Sequence, residues 1–397
     1  MKDSWAYIDF KDVFPIKMGK TPPRGDKSSW DEKKETHNKW VSIADISNNE
    51  GKIIEDTKEY ISDSATTKIN KVAKGSLLMS FKLSIGRMAF AGDDLYTNEA
   101  IIAIPESDKY ILRFMYYYLS SYNWLNLTEG NEKVKGATLN KTSIGKIQLP
   151  VIQLSEQQRI VEMLDASFAE IDQLKANAEK QLSEAKALFQ KALSQAMTPK
   201  EGWEEKMLKE IGETQTGTTP SKTDKSNYGD YIPFIRPAEI NYDGLGNINY
   251  DCEINLSEKG LSKGRLFKSG SIFMVCIGAT IGKVGISDRD VSCNQQINII
   301  TPNKNDDAKF IYYAMTSNTF KEKVITEGVS AQATLPIISK GKWEKLTVFL
   351  PPLSDQQRIV EELDELSENV KEIETLNNKL TAECDAMKQA LLRQVFE

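Results

Sequence analysis

The sequence has one histidine, His37, in 397 residues, and four cysteines, Cys252, Cys276, Cys293 and Cys384, all in its second half. A lone histidine excludes His-based metal sites and Ser-His-Asp or Cys-His catalysis, which need it together with partners. It sits in the charged run KKETHNK and is expected at the surface. No two cysteines form C-x-x-C, which argues against a zinc knuckle or a redox pair. They read as small reduced core residues of a cytosolic protein. No uncharged apolar stretch approaches the roughly eighteen residues of a membrane span. The start, MKDSWAYIDFKDVF, is charged throughout and lacks the apolar segment of a signal peptide. Positive charge is scarce too: 51 Lys and Arg against 57 Asp and Glu, a net charge of -6. At face value that disfavours contact with phosphate. Otherwise 40% hydrophobic and 27% charged residues, with a mean hydropathy of -0.44, describe a soluble globular chain. Its length suits two to four domains.

What is present is a repeat. LSEQQRIVE (154–162) recurs as LSDQQRIVE (353–361), eight of nine residues identical at an offset of 199. AKALFQKALSQAM (185–197) aligns with CDAMKQALLRQVF (384–396) at the same offset. Upstream, Trp5, Gly19 and Thr21-Pro22 match Trp203, Gly217 and Thr219-Pro220 at offset 198. WVSIADI (40–46) matches FIRPAEI (234–240), and GSLLMSFKLSIGRM (75–88) matches GSIFMVCIGATIGKV (270–284) with one insertion. TNEAIIAI (97–104) matches CNQQINII (293–300), and GATLN (136–140) matches QATLP (332–336). Such self-similarity fixes the architecture before any element is assigned. The chain divides into a domain (1–150), a helix (151–199), a second domain (200–350) and a second helix (351–397). The helices resemble each other closely and the domains loosely, so one scaffold carries two different surfaces.

Residues 155–197 form a Gly- and Pro-free run, opening on Ser155 with Gln158 in a capping-box pattern and stopping at Thr198-Pro199. The second run opens on Ser354 with Gln357. About 43 residues give a helix of roughly 65 Å. Heptads place Leu164, Ile171, Ala178, Ala185 and Ala192 on one seam, with Phe168, Leu174, Leu182 and Leu188 as the companion stripe. The second helix matches them with Leu363, Val370, Asn377, Cys384 and Leu391, and with Leu366, Ile373, Leu380 and Met387. This predicts a coiled coil in which each helix partners the other. Asn377 either fixes register or is a tolerated polar residue.

Each globular half reads as mixed α/β within an overall α+β class. SLLMSF (76–81), AIIAI (100–104), SIFMVCI (271–277) and INIITP (297–302) have strand character. KYILRFMYYYLSSYNWL (109–125) and DAKFIYYAMTSNTFKEKV (307–324) have helical spacing, with tyrosines expected in the core. GATIGKV (278–284) is one residue short of a phosphate loop and lacks its Ser or Thr. There is no Asn/Asp-Pro-Pro-aromatic methyltransferase motif, no G-x-G-x-x-G after a strand, and no recurring carboxylate set. Catalysis by this chain is therefore not expected.

Polar, turn-rich loops recur instead. Lys20, Thr21 and Arg24 parallel Thr218, Thr219 and Lys222. Lys82 and Arg87 flank a loop whose counterpart holds Thr280 and Lys283. Asn98 parallels Asn294 and Gln295, and Lys135 and Thr138 parallel Gln332 and Thr334. Arg236 lies in the second domain's FIRPAEI. Arg, Lys, Asn and Gln read base edges, and Ser, Thr and Lys suit phosphates. Gln157, Gln158, Arg159 and Gln356, Gln357, Arg358, at the helix starts, are candidates either for partner contact or for capping and packing at the domain junction.

The W…G-x-T-P openings, the G-S-(I/L)-(F/L) strands, the duplicated L-S-(E/D)-Q-Q-R-I-V-E junctions and the paired helices together resemble the DNA-specificity subunit of type I restriction-modification enzymes. The resemblance covers essentially the whole chain. It implies that each globular half is a target-recognition domain for one half of a bipartite, asymmetric double-stranded DNA site. The helices would pack antiparallel as a spacer and dock modification (methyltransferase) subunits, two of them. S-adenosylmethionine would lie in those subunits, and ATP and magnesium in partners that include a restriction subunit. The chain itself would hold no cofactor, catalyse nothing and work in the cytoplasm. A protein-only coiled-coil scaffold and a stand-alone nuclease or methyltransferase are the alternatives. The first leaves two polar-looped domains unexplained, and the second lacks its motifs.

The charge then reads differently by segment. Residues 1–150 carry 22 basic and 20 acidic side chains, and residues 200–350 carry 19 of each. Residues 151–199 carry 5 basic and 7 acidic, and residues 351–397 carry 5 and 11. The net negative charge belongs to the helices, and the domains are near neutral.

Overall fold

A computed structural model describes residues 5–127, 135–241, 245, 248–328 and 336–397. The chain forms two compact units: a discontinuous one, 1–175 with 381–397, and a continuous one, 176–380. The division therefore runs through both long helices.

In the first unit, strand Ala6–Asp9 pairs antiparallel with Gln148–Val151, so the domain's first and last strands close on each other. The central sheet has the order Ile53–Ile54, Met88–Ala91, Leu77–Ser80, Ile101–Ile104. A smaller sheet places Lys39–Val41 between Glu59–Tyr60 (antiparallel) and Tyr96–Thr97 (parallel). The second unit repeats this plan. Glu204–Met207 pairs with Thr347–Leu350. Ile272–Val275 lies between Val284–Ile286 and Ile297–Pro302. Tyr228–Ile235 lies between Asn255–Leu256 (antiparallel) and Ser292–Cys293 (parallel). The units differ at the edges of the central sheet: Ile53–Ile54 adds beside Met88–Ala91, whereas Gly212–Thr216 adds beside Ile297–Pro302. All four expected strands form, because runs such as Leu77–Ser80 and Ile272–Val275 are buried along their whole length and need no alternation.

The expected domain helices form as Leu112–Ser121 and Ala308–Thr316. The second is followed, after Ser317, by a separate helix, Asn318–Lys323; the Ser317 hydroxyl accepts the Phe320 amide and starts it. Tyr117, Tyr118, Tyr312 and Tyr313 are buried, as core tyrosines. All four cysteines are buried and free, and His37 is exposed.

The long helices are Leu154–Ala196 and Leu353–Phe396. Each begins one residue before its expected serine cap. The Gln153 carbonyl accepts the amides of Glu156 and Gln157, and the Pro352 carbonyl accepts those of Asp355 and Gln356. Gln158 reaches forward to Glu162 at 2.9 Å, so no capping box forms at Ser155. Within each unit the helix segments run antiparallel. In the first, Lys175 meets Asp385 at 2.8 Å and Lys388 meets Asp172 at 2.5 Å. Leu164 and Phe168 join Leu391, Leu392, Val395 and Phe396 in one core. In the second, Lys186 meets Glu374 at 2.7 Å. There Leu182, Phe189 and Leu193 join Ile359, Leu363, Leu366 and Val370.

The seam positions Leu164, Ile171, Leu363, Val370 and Cys384 are buried. Ile373 and Leu380 are half-buried. The companion stripe needs correction: Leu174 is 50%, Leu188 61% and Met387 50% exposed. Their places are taken by the next residues, Lys175, Phe189 and Lys388. The lysines lie over the seam on their aliphatic stems and pair across it, which heptad counting by apolar type misses. Asn377 keeps a buried side-chain oxygen. No helix among the described residues is long and apolar enough to cross a membrane.

Candidate nucleic-acid interface

The G-x-T-P motif builds the same loop in both units. Gly19 donates to the Ile101 carbonyl (3.1 Å) and Lys20 to that of Thr97 (2.8 Å). Gly217 donates to Ile297 (3.0 Å) and Thr218 to Cys293 (3.0 Å). The glycine is required by close approach: a Cβ would stand 2.1 Å from the Thr97 carbonyl oxygen at Gly19 and 2.1 Å from that of Asn294 at Gly217. The threonine hydroxyls then donate to Glu99 and Gln295 respectively. The G-x-T-P loop and the loop after the parallel strand are thus one structural feature, carrying Glu99 in one unit and Gln295 in the other.

In the first unit, Thr21, Arg24, Lys82 and Glu99 come together. The Thr21 hydroxyl, and then the charges of Lys82 and Arg24, hold the Glu99 carboxylate below its ordinary range. Lys82 is on strand Lys82–Ser84, which pairs with Lys135–Thr138 (Thr138 opposite Lys82, Lys135 opposite Ser84). Two of the expected reading segments are therefore adjacent ribbons. Arg87 goes elsewhere: it pairs with Glu50 at 3.4 Å, a carboxyl that burial raises. Lys20 is exposed.

Arg24 is held on two sides. Its guanidinium lies 4.2 Å from the centre of the Trp30 ring and 4.9 Å from that of Trp40, and it binds Glu59 through both terminal nitrogens. The indoles are in turn tied to the loop, Trp30 donating to the Pro23 carbonyl (3.2 Å) and Trp40 to that of Lys20 (3.1 Å).

In the second unit, Lys222 is exposed and Thr218, Thr219 and Lys283 are half-buried. Arg236 is tied into its own turn by Glu239 (2.6 Å) and reaches Glu253 (3.3 Å). Its first-unit counterpart, Ser42, forms a capping box with Asp45 in the same place. Asn294 is buried and spends its amide on Gln296, accepting the backbone amide (3.1 Å) and donating to the side chain (2.9 Å). Asn98 likewise accepts the Ala100 amide at 2.9 Å. Both asparagines brace their turns through Oδ1. Gln332 and Thr334 lie outside the described residues, as do the side chains of Lys135 and Thr138.

Sequence reading missed the loop supports. Asp26 accepts the Ser28 amide (3.0 Å) and hydroxyl (2.6 Å), and Asp224 accepts those of Ser226 (3.2 and 2.5 Å). The signal was available: Asp26-Lys27-Ser28 and Asp224-Lys225-Ser226 recur at the same offset as G-x-T-P. Trp30 and Trp40 gave no such signal, because the repeat places Tyr228 and Phe234 at their positions.

The helix-start residues separate cleanly. Gln157 is 0% exposed: it accepts the Ile111 amide (2.9 Å) and donates to the Lys109 carbonyl (2.8 Å). Gln356, 2% exposed, accepts the Asp307 amide (2.8 Å) and donates to the Pro351 carbonyl (2.9 Å). Each fastens the start of the domain helix to the long helix. Gln158, Arg159, Gln357 and Arg358 are exposed, the arginines pairing with acids on their own helix. About two turns on, Asp165 takes Tyr117 and Arg113 (2.9 Å), and Asp364 takes Tyr313 (2.7 Å) and Lys309 (2.5 Å). Burial, and then these carboxylates, push both tyrosine hydroxyls well above their ordinary range.

A family model for the type I restriction modification DNA specificity domain matches twice, at residues 2–184 and 200–382. The specificity subunit of the restriction enzyme MjaIX from Methanocaldococcus jannaschii is 30% identical over 190 residues, 46% of this chain and 42% of that protein. That of HindI from Haemophilus influenzae is 30% identical over 152 residues, 38% of this chain and 32% of that protein. The match thus spans less than half the length of these two relatives. The EcoBI specificity subunit of Escherichia coli is 24% identical over 320 residues, 73% of this chain and 66% of that one. A chain from a structure concerned with complex assembly and conformational transition of the type I R-M system superposes with a TM-score of 0.74 at 17% identity, covering 100% of this chain and 98% of that one. The HsdS subunit of Thermoanaerobacter tengcongensis superposes with a TM-score of 0.53 at 16% identity, covering 100% and 97%. With two family domains across nearly its whole length, and the matching fold, the chain belongs to the family of type I restriction-modification DNA-specificity proteins.

Proposed function

We propose that this chain is the sequence-reading subunit of a type I restriction-modification system, each unit's loops reading one half of a bipartite, asymmetric DNA site. One observation carries the reading: two copies of a scaffold hold the same loop by the same hydrogen bonds, yet present Arg24 and Glu99 in one and Lys222 and Gln295 in the other. A shared frame with divergent polar tips is what two different half-sites require. The long helices set the spacing between half-sites and dock two methyltransferase subunits. Their acidic, exposed surfaces suit protein rather than phosphate. S-adenosylmethionine, ATP and magnesium belong to the methyltransferase and restriction subunits. This chain adds recognition and no chemistry, and it acts in the cytoplasm with the chromosome.

The test is an exchange. Residues 1–150 are replaced by the corresponding segment of another family member, and chromosomal methylation is mapped by sequencing in the host. One half of the methylated motif changes and the other stays. Change in both halves, or in neither, overturns independent readers. A protein-only scaffold predicts no methylation motif dependent on this chain.

A further inference from the structure

The first unit holds its exposed arginine in a way the second unit does not. Arg24 follows Pro22-Pro23, whose rings restrict the backbone that leads to it. The Pro23 carbonyl accepts the Asp26 amide (3.1 Å) as well as the Trp30 indole (3.2 Å), and Asp26 caps the following turn. The loop is therefore fixed on both sides of Arg24. The Trp30 and Trp40 rings meet edge to face at 5.1 Å and form a corner under the guanidinium. Glu59 binds the two terminal nitrogens end-on, one at 3.2 Å. The side chain nonetheless remains 55% exposed. End-on pairing leaves the edge formed by Nε and one terminal nitrogen, and no described residue accepts from Nε. A plane fixed by aromatic contact, an orientation fixed by a carboxylate and one free two-donor edge fit a base that offers two adjacent acceptors. In the major groove only guanine does so, through O6 and N7. In the second unit Lys222 stands where Arg24 does, and Tyr228 and Phe234 replace the tryptophans.

We propose that Arg24 reads a guanine in the half-site recognised by the first unit, with Glu59 as its positioning residue. The inference rests on the DNA-reading function proposed above. Lysine at position 24 keeps the charge but cannot present the planar fork. The Glu59→Gln substitution keeps the size of the buttress and loses the ion pair.

The test uses the full chain in its host, carrying Arg24→Lys or Glu59→Gln, with methylation mapped by sequencing. Arg24→Lys is expected to relax one guanine position of one half-site and leave the other half-site intact, which also reports that the protein is folded. Glu59→Gln relaxes the same position to a smaller degree. In binding assays of the assembled methyltransferase, replacing that guanine by 7-deazaguanine, which lacks the N7 acceptor, weakens wild type roughly 10- to 150-fold, the range for loss of one hydrogen bond to a charged group. The same replacement leaves the Arg24→Lys complex almost unchanged. A first half-site without guanine, an unaltered motif in Arg24→Lys, or equal 7-deazaguanine sensitivity in both proteins overturns the assignment. Absence of any motif that depends on the wild-type chain overturns the function itself.

Discussion

Asp26 and Asp224 brace the loops that carry Arg24 and Lys222, the loops proposed to read DNA. Both carboxyls are held below the ordinary 3.8, first by the hydroxyls of Ser28 and Ser226. A depressed carboxylate pKa in the folded state contributes stability above the unfolded value, and that contribution fades as pH falls through the folded value. The loops are therefore expected to loosen in acid, below about pH 4, before the buried sheets do. Hydrogen exchange, corrected for intrinsic rate, should show protection at Ser28 and Ser226 intact down to about pH 4 and falling only below it, with Ser226, whose aspartate is the more strongly depressed, the last to loosen. Asp26→Asn should lower protection of the 26–30 turn already at neutral pH and leave the 224–228 turn unchanged. Equal protection in wild type and variant would remove the capping role. At this scale the sequence was informative about which residues recur and silent about why. Gly19 and Gly217 stand out in the repeat, but the carbonyls that exclude a Cβ belong to Thr97 and Asn294, more than seventy residues away. Asn98 and Asn294 show the converse: their type suits base reading, and the turn that each braces through Oδ1 is not legible from type alone.

Between residue and element stands the duplicated Q-Q-R-I-V junction, the strongest motif in the sequence and one whose pattern left its role open. The structure divides it by position. The first glutamine of each pair is buried and satisfies the backbone at the start of the domain helix; the second glutamine and the arginine face outward. Truncating Gln157 strands the Ile111 amide and the Lys109 carbonyl, a loss of about 1–3 kcal/mol. Gln158→Ala and Arg159→Ala are surface changes, expected within about 0.5 kcal/mol. Chemical denaturation of the three variants checks this; a Gln157→Ala protein as stable as wild type would refute the clamp. Binding of methyltransferase subunits should show the opposite order if the outer pair meets a partner. The helices themselves were legible in length and in pairing with each other, and their antiparallel sense was what the family resemblance implied. Their packing stripe was legible only in part, because two heptad positions compete on a helix rich in leucine and alanine. Leu174 and Leu188 satisfy the period, but the seam takes Lys175 and Phe189 instead. Aliphatic lysine stems with an acidic partner across the seam are invisible to a count of apolar residues.

For the whole molecule, the repeat made the architecture readable from residue identities alone, whereas the return of the C-terminal segment 381–397 to the first unit was not. Each long helix is a single element that serves both units, the boundary falling after Lys175 in one and after Leu380 in the other. This changes how a spacer test must be built. Within the first unit the pairs Asp172–Lys388 and Lys175–Asp385 fix the antiparallel register, and within the second Lys186–Glu374 does so. Four residues added at Ala176 in the first helix alone would force the register to slip in one unit. Four residues added at both boundaries preserve the register and lengthen both helices by one turn, about 6 Å. If the helices set the separation of the half-sites, the methylated motif should then gain about two base pairs of unread spacer, at 3.4 Å each, with both half-sites unchanged. The single insertion should reduce methylation without shifting the motif. An unaltered spacer in the double insertion would mean that partner subunits, rather than the helices of this chain, fix the distance between the two readings.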